Sequence, residues 1–504
     1  MKNYATSTGT KKYVAQFTQF KFNGLGTTGL LCSQLGFGSY RIHKSVDEQR
    51  SALQYALAKG INLIDTSSNY ADGGSEELIG MVLKEMMANK KLQREQVIIV
   101  SKVGYLQGQN YVLSQQLKQQ NKPFPDLIEY ANGLEHCIHP DFIFDQLTRS
   151  LQRLQMETID VFLLHNPEYY LMHAQKKGMP LEQARTEYYR RIEQAMMHLE
   201  IEVQNGRIQF YGISSNTFPV DKERYDFTSL ENIWDIAQSI SNKHHFRVVQ
   251  MPVNLMETGA VLIKNQTSDK SVLDFAIDKK LAVLANRPLN AFTNGQVWRL
   301  VSLVAATKEK AQPESELQKL SGLEQQFAET ILRHLDLEEE KQKELAGLFS
   351  TGGYLANNWT RLGPYWQWLE SQAKYIAEQI SYGVQLVNEA SSKNDDTITW
   401  LNSYVESFNK ALDMLTIYFG QTAAQKNLEL YNAFKAVDDD WETAANLHNL
   451  AIRALRSTKG VSCVLAGMRK QEYVEGFLAE LKTGQNLSKR KVSWGKLAGL
   501  NSLG

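Results

Sequence analysis

The sequence predicts an α/β fold, a (β/α)8 TIM barrel with a large helical insertion after strand 7. From residue 34 onward, short runs rich in Val and Ile alternate with segments of helical period, which is the pattern of parallel βα units. Polar residues also stand at the C-terminal ends of these runs, where a barrel gathers its catalytic groups. A doubly wound open sheet is the alternative architecture.

Eight strand candidates follow one another along the chain, the number that closes such a barrel. They are residues 35–40, 61–65, 97–102, 159–165, 208–214, 248–252, 281–286 and 461–467. Between the first two, Ser45 and Glu48 form a capping-box pattern ahead of a helix that buries Leu53 and Leu57. Gly60 suits the residue just after that helix. The next helix follows Ser75, with apolar residues at helical spacing.

The rhythm breaks after the seventh strand, where roughly 150 residues intervene, the size of a small domain. This stretch is helical in period, and its turn-rich link at 391–396 predicts an antiparallel pairing of its last two helices. We therefore expect the first part of the barrel at 1–292, a helical insertion at 293–440 and the last part of the barrel at 441–504. The insertion can serve as a lid, a docking element or a dimerisation element.

Charge and cysteine content limit the class of protein. Of the 504 residues, 55 are Lys or Arg and 55 are Asp or Glu, so no basic field favours nucleic acid. The three cysteines are widely spaced and lack CxxC spacing, which is typical of reduced thiols. No apolar stretch is long enough for a membrane helix, and the N-terminal residues have no signal-peptide pattern. These features predict a cytoplasmic protein without membrane or nucleic-acid partners.

Four side chains form the strongest chemical candidate, namely Asp65, Tyr70, Lys102 and His165. A tyrosine has an ordinary pKa of about 10, and a neighbouring cation favours its phenolate and makes it a better acid near neutral pH. Lys102 can be that cation, and Asp65 can hold it. Together with an imidazole, this set can protonate a carbonyl oxygen while the carbon takes a hydride.

The surrounding motifs resemble the aldo-keto reductase family. Residues 60–70 and 74–80 match its signature around an aspartate and a tyrosine, residues 101–104 its lysine strand, and residues 151–166 its histidine helix and strand. The resemblance implies that Tyr70 is the general acid, that Lys102 lowers its pKa and that Asp65 pairs with Lys102. It also implies that His165 orients the substrate carbonyl.

The resemblance extends from about residue 24 to 289 and from about 447 to 481, and it leaves the insertion without a counterpart. It also implies an N-terminal β-hairpin that plugs the barrel floor. A GxGxxG pattern at 24–29 belongs to this hairpin, because the glycines that follow it are incompatible with the helix of a dinucleotide fingerprint. The His136, Cys137 and His139 cluster matches no common zinc spacing, so no metal site is predicted.

The resemblance further implies a cofactor site at the ends of several strands. The predicted contacts are Ser39, Ser214, Ser215, Asn216, Gln250, Asn286, Arg287, Gly467, Arg469 and Lys470. Hydroxyl and amide groups at strands 5 and 6 suit the nicotinamide carboxamide, although which serine precedes the asparagine in register stays open. Asn286 stands where the family commonly has a stacking aromatic residue, and Arg287 is a candidate for the pyrophosphate.

After strand 8, the two cations beside a helix start suit a 2′-phosphate, which favours NADP(H). The predicted function is therefore an NADP(H)-dependent oxidoreductase that interconverts a carbonyl (aldehyde, ketone or sugar) and an alcohol, with Tyr70 as general acid/base. One alternative is a reductase-like module that senses cofactor or binds a protein through its insertion. Another is a cofactor-free lyase or isomerase on the same barrel. Oligomerisation through the insertion stays open.

Overall fold

The computed structural model of the protein describes residues 3–293, 295–305, 307, 309–390 and 395–501. The chain divides into two compact units, Met1–Leu300 with Ala433–Gly504, and Val301–Asn432. The division of the sequence into 1–292, 293–440 and 441–504 remains our proposal for the limits of the insertion.

The first unit contains an eight-stranded closed barrel, which confirms the predicted fold class. All eight strands are parallel and follow chain order around the barrel as β3, β4, β5, β9, β10, β11, β12 and β15. The strands are β1 Phe22–Gly24, β2 Leu31–Ser33, β3 Leu35–Gly38, β4 Leu63–Asp65, β5 Ile98–Val103, β6 Tyr105–Leu106, β7 Ile128–Ala131, β8 Leu134–His136, β9 Ile159–His165, β10 Ile208–Ser214, β11 Phe246–Pro252, β12 Ala282–Asn286, β13 Asn290–Thr293, β14 Gln296–Arg299 and β15 Val461–Gly467.

Helices separate the barrel strands, and further helices build the second unit. They are α1 Ser7–Val14, α2 Asp47–Ala58, α3 Gly74–Ala88, α4 Gly108–Gln119, α5 Pro140–Leu154, α6 Tyr169–Lys176, α7 Leu181–Gln204, α8 Leu230–Ile240, α9 Gly259–Leu262, α10 Val272–Asp278, α11 Glu314–Gln326, α12 Glu339–Leu348, α13 Thr351–Asn358, α14 Tyr365–Ser371, α15 Ala377–Ala390, α16 Asp395–Lys435, α17 Asp439–Glu442, α18 Leu447–Arg456, α19 Gln471–Leu481 and α20 Lys491–Asn501.

The N-terminal hairpin closes the floor of the barrel, as the resemblance implied. Strands β1 and β2 pair antiparallel, and Leu25, Leu30 and Cys32 pack into the cluster of side chains that fills the barrel interior. Asn62 fastens the hairpin, because its Oδ1 accepts from the backbone of Ser33 at 2.8 Å and its Nδ2 donates to the carbonyl of Leu31 at 2.9 Å. The interior is therefore filled at this end.

The capping box predicted at Ser45 and Glu48 is wrong. Helix α2 begins at Asp47, and its N-cap Val46 contributes no side-chain hydrogen bond. The hydroxyl of Ser45 lies 2.7 Å from Nδ1 of His43 instead. Because that hydroxyl is already bonded, the first turn relies on the negative charges of Asp47 and Glu48, which the helix dipole favours at this end.

Two small sheets decorate the loops that follow barrel strands. Strands β6, β8 and β7 form a three-stranded antiparallel sheet after β5, and β13 and β14 form a hairpin after β12. The strand pattern did not predict them, because two to four residues are too few to show a period.

The second unit is helical around an aromatic core. Trp359, Trp368 and Trp400 are each exposed by 9% or less and belong to this core, which favours packing over ligand contact for these side chains. Trp368 Nε1 donates to Thr416 Oγ1 at 2.9 Å and joins α14 to α16. The predicted link at 391–396 lies mostly outside the described residues. Within the described ranges, no helix is both long and apolar enough to cross a membrane.

Candidate active site

Three neighbouring strand ends carry the candidate catalytic residues. Asp65 ends β4, Lys102 is the penultimate residue of β5, and His165 ends β9. Register places Asp65 beside Val100 and Lys102 beside Leu163. The three residues are exposed by 5%, 0% and 8% respectively. The structure thus gathers at one rim the residues that the sequence separates by 100 positions.

A chain of contacts links the carboxylate, the ammonium and the phenol. Lys102 Nζ donates to Asp65 Oδ2 at 2.8 Å, to the carbonyl of Thr66 at 2.7 Å and to Tyr70 Oη at 3.3 Å. The same ammonium lies 4.8 Å from the centre of the Tyr70 ring. Because Lys102 donates to the phenol oxygen, the hydroxyl proton of Tyr70 is left for another acceptor.

The backbone after Tyr70 is strained. Ala71 and Asp72 have φ values of 49° and 54°, in the left-handed region, which costs a residue with a Cβ roughly 1–2 kcal/mol. A carboxylate oxygen of Asp72 accepts from the backbone of Gln109 at 3.0 Å and holds this turn. Strain of this kind is common beside functional groups, and here it fixes the residue that immediately follows Tyr70.

Burial and charge act in opposite directions on the phenol. Burial raises the pKa of Tyr70 above its usual value, while the Lys102 ammonium lowers it, and Asp65 adds to the increase. Lys102 thus acts on the pKa of Tyr70 in the direction that the resemblance implied, but burial has the larger effect and leaves the pKa above its usual value. For Lys102, burial lowers the pKa, but Asp65 and Tyr70 outweigh it and raise the pKa above its usual value. At neutral pH, Tyr70 is a phenol and Lys102 a cation.

His165 is held from two sides. Its Nδ1 lies 3.1 Å from Ser67 Oγ, and its backbone carbonyl accepts from Nε2 of His136 at 2.7 Å. Its ring packs edge-on against Tyr105, with centroids 4.8 Å apart. Burial, followed by the charge of Lys102, lowers the pKa of His165 well below its usual value. The imidazole is consequently neutral at physiological pH.

The side chain of Gln250 links Asp65 to the predicted nicotinamide contacts. Its Nε2 donates to Asp65 Oδ1 at 2.7 Å, while its Oε1 accepts from Ser214 Oγ at 3.0 Å and lies 3.4 Å from Asn286 Nδ2. Strand β11, which carries Gln250, is four strands away from β4 around the barrel. This side chain therefore spans the mouth and brings three predicted contacts together.

The two serines at the end of β10 face different ways. Ser214 joins Gln250, whereas Ser215 Oγ lies 3.2 Å from Thr217 Oγ1 and is fully buried. In the described part of the chain, the side chain of Asn216 makes no hydrogen bond, and its backbone N–H donates to Glu168 Oε1 at 2.8 Å. Ser214 is thus the serine in register with Gln250.

Arg287 and Ser39 have partners that the sequence did not reveal. The guanidinium of Arg287 binds Glu257 Oε1 at 2.7 Å, so it is directed to a carboxylate of its own chain. Ser39 is fully buried, donates to the carbonyl of Asp65 at 2.8 Å and accepts from Ser75 Oγ at 2.8 Å. Its hydroxyl is occupied in joining β3 to β4.

Comparison with known proteins identifies the family. A family model described as the aldo/keto reductase family matches residues 34–293, which include all four candidate catalytic residues. The chain belongs to the aldo/keto reductase family. It is 26% identical over 270 residues to aldo-keto reductase YhdN of Bacillus subtilis (strain 168), a match that covers 52% of this chain and 60% of that protein.

A second curated relative and a solved structure show how far identity and coverage vary among the matches. The NADH-specific methylglyoxal reductase of Escherichia coli (strain K12) is 31% identical over 149 residues, or 28% of this chain and 40% of that protein. The solved holo form of aldo-keto reductase AKR11C1 from Bacillus halodurans matches with a TM-score of 0.47 and 16% identity, over 95% of this chain and 96% of that one. The chain spans 60% or less of the curated relatives' length.

The mouth of this aldo/keto reductase offers unused polar groups where the sequence predicts cofactor. Asn286 Oδ1 is buried and has no hydrogen-bond partner among the described residues, so it can accept from an amide N–H of a nicotinamide. At the end of β15, a Cβ added to Gly467 would have nothing within 4 Å. Helix α19 follows, and its N-cap Lys470 contributes no capping hydrogen bond. These features fit a dinucleotide.

The two predicted cations immediately precede helix α19. Arg469 and Lys470 are half-buried, and Lys470 Nζ lies 3.4 Å from a carboxylate oxygen of Glu48. The side chains of Lys470 and Glu48 are 43% and 55% accessible to solvent, so their ion pair is weak and leaves Lys470 available to an anion. Within the ranges described, no group of three or more His, Cys, Asp or Glu side chains is arranged so that it could hold a metal ion.

Proposed function

We propose that this protein is an NADP(H)-dependent oxidoreductase that interconverts a carbonyl and an alcohol. The observation that carries the proposal is the direction of the contacts around Tyr70. Lys102 donates both to the phenol oxygen, at 3.3 Å, and to Asp65, at 2.8 Å. The phenol therefore keeps a proton that it can donate and sits beside a cation that stabilises the phenolate formed afterwards.

Each residue of the site has a separate role in the proposed hydride transfer. The nicotinamide, when bound, supplies or accepts the hydride. In reduction, Tyr70 Oη gives its proton to the carbonyl oxygen, and Lys102 stabilises the resulting phenolate. Asp65 holds the Lys102 ammonium in place, and Gln250, Ser214 and Asn286 would hold the carboxamide. In oxidation, the phenolate of Tyr70 takes the proton back.

The choice of NADP(H) rests on Arg469 and Lys470 beside the N-terminus of α19, where cations and open N–H groups favour a phosphate. One relative is named as specific for NADH, so the two cofactors must be compared directly. We expect NADPH to bind at least tenfold tighter than NADH, as measured by fluorescence titration. Substitution of both cations by alanine should remove most of this preference. Equal affinities in the unaltered protein would contradict the NADP(H) assignment.

The catalytic assignment is tested by Tyr70→Phe with a panel of aldehydes, ketones, aldoses and polyols. Loss of this proton donor should lower kcat by about 100-fold to 10,000-fold, while NADPH binding stays within twofold. Tyr404→Phe is the matched control, because Tyr404 is a fully buried tyrosine of the second unit. Full activity in Tyr70→Phe would contradict the proposal, as would the absence of turnover with the whole panel.

We extend the proposal to the cellular compartment and the partners of the protein. The balanced charge and the three unpaired cysteines, all buried, support action in the cytoplasm on small molecules, without nucleic acid as a partner.

A second function is favoured by the exposure of Tyr354, Tyr375 and Tyr382 in the second unit, at 60%, 64% and 47%. Large exposed aromatic side chains are typical of protein interfaces.

In that second function, residues 293–440 bind a partner protein or a second copy of the chain through these tyrosines. Changing the three exposed tyrosines together to serine should then shift the sedimentation coefficient toward a smaller species and leave kcat and KM unchanged. If the insertion acts as a lid, KM or kcat should change instead while the sedimentation coefficient stays the same.

A further inference from the structure

Glu168 is a buried carboxyl group without a neutralising cation. It lies three residues after His165, on the loop that follows β9, and its relative exposure is 2%. Its Oε1 accepts from the backbone N–H of Asn216 at 2.8 Å, whereas its Oε2 is buried without a hydrogen-bond partner among the described residues. It forms no ion pair with any described residue, and the charge that acts on it most strongly is the like charge of Asp226. Because burying an uncompensated charge is costly, this carboxyl group is sensitive to any charge that a ligand brings.

Two hydrogen bonds tie the loop of Glu168 to the end of β10. The backbone N–H of Asn166 donates to the carbonyl of Ser214 at 2.7 Å, and the backbone N–H of Asn216 donates to Glu168. They enclose the segment Ser214–Asn216, which supplies predicted contacts of the nicotinamide carboxamide. Ser214 Oγ in turn donates to Gln250 at 3.0 Å. Glu168 is therefore one hydrogen bond away from the proposed carboxamide contacts.

Titratable groups face Glu168 from four parts of the barrel unit. They are Tyr105 on β6, Tyr169 on α6, Tyr188 on α7 and Asp226 on the loop after β10. Burial raises the pKa of each of the three tyrosines, so these groups are neutral phenols at physiological pH. Asp226 has a cation of its own, since Arg224 binds its two oxygens at 2.7 Å and 2.9 Å. Glu168 therefore faces phenols and a like charge.

This environment places the ionisation of Glu168 near neutral pH. Burial has the largest effect and raises its pKa to about 7, while the N–H of Asn216 and the hydroxyl of Ser215 lower it to a smaller extent. Neutral and charged forms of the carboxyl group thus coexist at physiological pH. Only the charged form lacks a counter-ion, so a cation brought by a ligand stabilises that form selectively.

The two redox forms of a nicotinamide cofactor differ in the charge of the ring, which is a cation when oxidised and neutral when reduced. We propose that Glu168 sets which redox form of the cofactor the site prefers, because ionised Glu168 stabilises the cationic ring of the oxidised form and neutral Glu168 does not. The inference rests on the proposed oxidoreductase function, since that function requires the cofactor. It adds a role for a carboxyl group that takes no part in the proton transfer.

The sign of the pH dependence follows from linkage. If the oxidised cofactor stabilises ionised Glu168, its binding must release a proton, and its affinity must rise with pH through neutrality. The reduced cofactor has no ring charge and should show no such rise. The phosphate groups titrate alike in both forms, so the ratio of the two dissociation constants isolates the effect of the ring.

Titration calorimetry with NADP+ and NADPH, between about pH 5.5 and pH 8.5, tests the proposal in the full-length protein. The ratio of Kd for NADPH to Kd for NADP+ should rise about tenfold across this range. In Glu168→Gln it should rise by less than twofold, because glutamine can still accept from Asn216 but cannot ionise.

Glu135→Gln is the matched control. Glu135, on β8, has the same 2% exposure and also a carboxylate oxygen without a partner among the described residues. Its other oxygen binds Lys118 Nζ at 2.6 Å, so this carboxylate already has its cation. The ratio in Glu135→Gln should therefore rise with pH as it does in the unaltered protein.

Proton release provides a second measurement that needs no variant. Calorimetry near pH 7, in two buffers of different ionisation enthalpy, should show that NADP+ releases about half a proton more than NADPH. Equal release for the two forms would overturn the proposal, even if Glu168→Gln failed to fold.

The remaining outcomes separate the proposal from the function on which it rests. If Glu168 only holds the loop through Asn216, Glu168→Gln would change both affinities equally and leave the pH dependence of their ratio intact, which would refute the proposal. A ratio that does not vary with pH in the unaltered protein would refute it as well, and both results would leave the oxidoreductase function standing. If neither NADP+ nor NADPH binds at any pH, the oxidoreductase function itself fails, and the proposal with it.

Discussion

The two units of this protein each hold a tyrosine near a carboxylate, but the hydrogen bonds of the two tyrosines differ. In the barrel, Lys102 stands between Tyr70 and Asp65 and donates to both. In the second unit, Tyr404 donates directly to Glu324 Oε1 at 3.1 Å. Glu324 also accepts from the backbone of Gly352 and of Gly353, at 2.7 Å and 2.8 Å, near the start of α13.

The difference lies in the direction of one hydrogen bond. The phenol of Tyr404 gives its proton to a carboxylate and has none left to transfer. The phenol of Tyr70 accepts from an ammonium and keeps its proton. Burial raises the pKa of both tyrosines, but the nearby carboxylate raises that of Tyr404 further, whereas Lys102 opposes the increase at Tyr70. In the proposed mechanism, the Lys102 ammonium between the phenol and the carboxylate is therefore what leaves Tyr70 able to act as an acid.

Lys102→Met removes the difference between the two sites most directly, because it leaves Tyr70 and Asp65 without a cation between them. The variant leaves Asp65 buried and without its ion-pair partner, which should cost about 3–5 kcal/mol in the free energy of unfolding. Turnover should fall by at least 100-fold, since nothing then stabilises the phenolate. Urea unfolding and steady-state kinetics measure the two effects. Unchanged turnover would show that the cation is dispensable.

Glu168→Gln extends the comparison to a barrel carboxyl that forms no ion pair with any described residue. Burial raises the pKa of Glu168 to about 7, so between about pH 4.5 and pH 7 the folded protein binds a proton that the unfolded chain releases. The stability contributed by this group therefore falls as pH rises through that window, by about 3 kcal/mol in total.

Glutamine cannot ionise, so the variant escapes this loss. The free energy of unfolding of Glu168→Gln relative to the unaltered protein should rise by about 3 kcal/mol as the pH increases from about 4.5 to above 7. Urea unfolding at four or five pH values across this window checks the trend. A difference that does not vary with pH would contradict the raised pKa.

Tyr404→Phe tests the structural pair. It removes one donor from Glu324, which keeps its two backbone donors, so we expect a loss of about 1–2 kcal/mol in the free energy of unfolding. Turnover should change by less than twofold, in contrast to Tyr70→Phe. A large loss of turnover in Tyr404→Phe would mean that the second unit contributes to catalysis.

Ala71→Gly makes the smallest change. Glycine adopts the left-handed region without the Cβ penalty, although it loses more entropy on folding, so the net gain in stability should be about 0.5–1 kcal/mol. Ala479→Gly, at an exposed site in α19, is the control and should lose about 1 kcal/mol. Thermal unfolding compares the two. If both variants lose stability equally, the backbone at Ala71 is not strained.

The sequence was a good guide wherever a period or a motif spans many residues. It predicted the eight strands, because buried parallel strands are continuous apolar runs, and it placed Asp65, Lys102 and His165 at strand ends. It also anticipated that Gln250 and Ser214 lie near one another, since neighbouring parallel strands end at the same edge.

The features that it missed depend on single contacts between distant residues. The pairing of Arg287 with Glu257 and the occupied hydroxyl of Ser39 show no pattern along the chain. The spacing indicated that Lys102 lies near Tyr70, but it did not show that burial outweighs the effect of Lys102 on the pKa of Tyr70.

The hairpin of β1 and β2 closes one of the two ends of the barrel. Since Leu25, Leu30 and Cys32 fill the barrel interior at the floor, whatever binds inside must arrive and depart by the opposite rim. Gln250 and Ser214 are almost completely buried, whereas Tyr70 is only half-buried. A molecule that rests on the two deeper residues must load first and leave last, so we expect the cofactor to bind before the carbonyl compound and to depart after the alcohol.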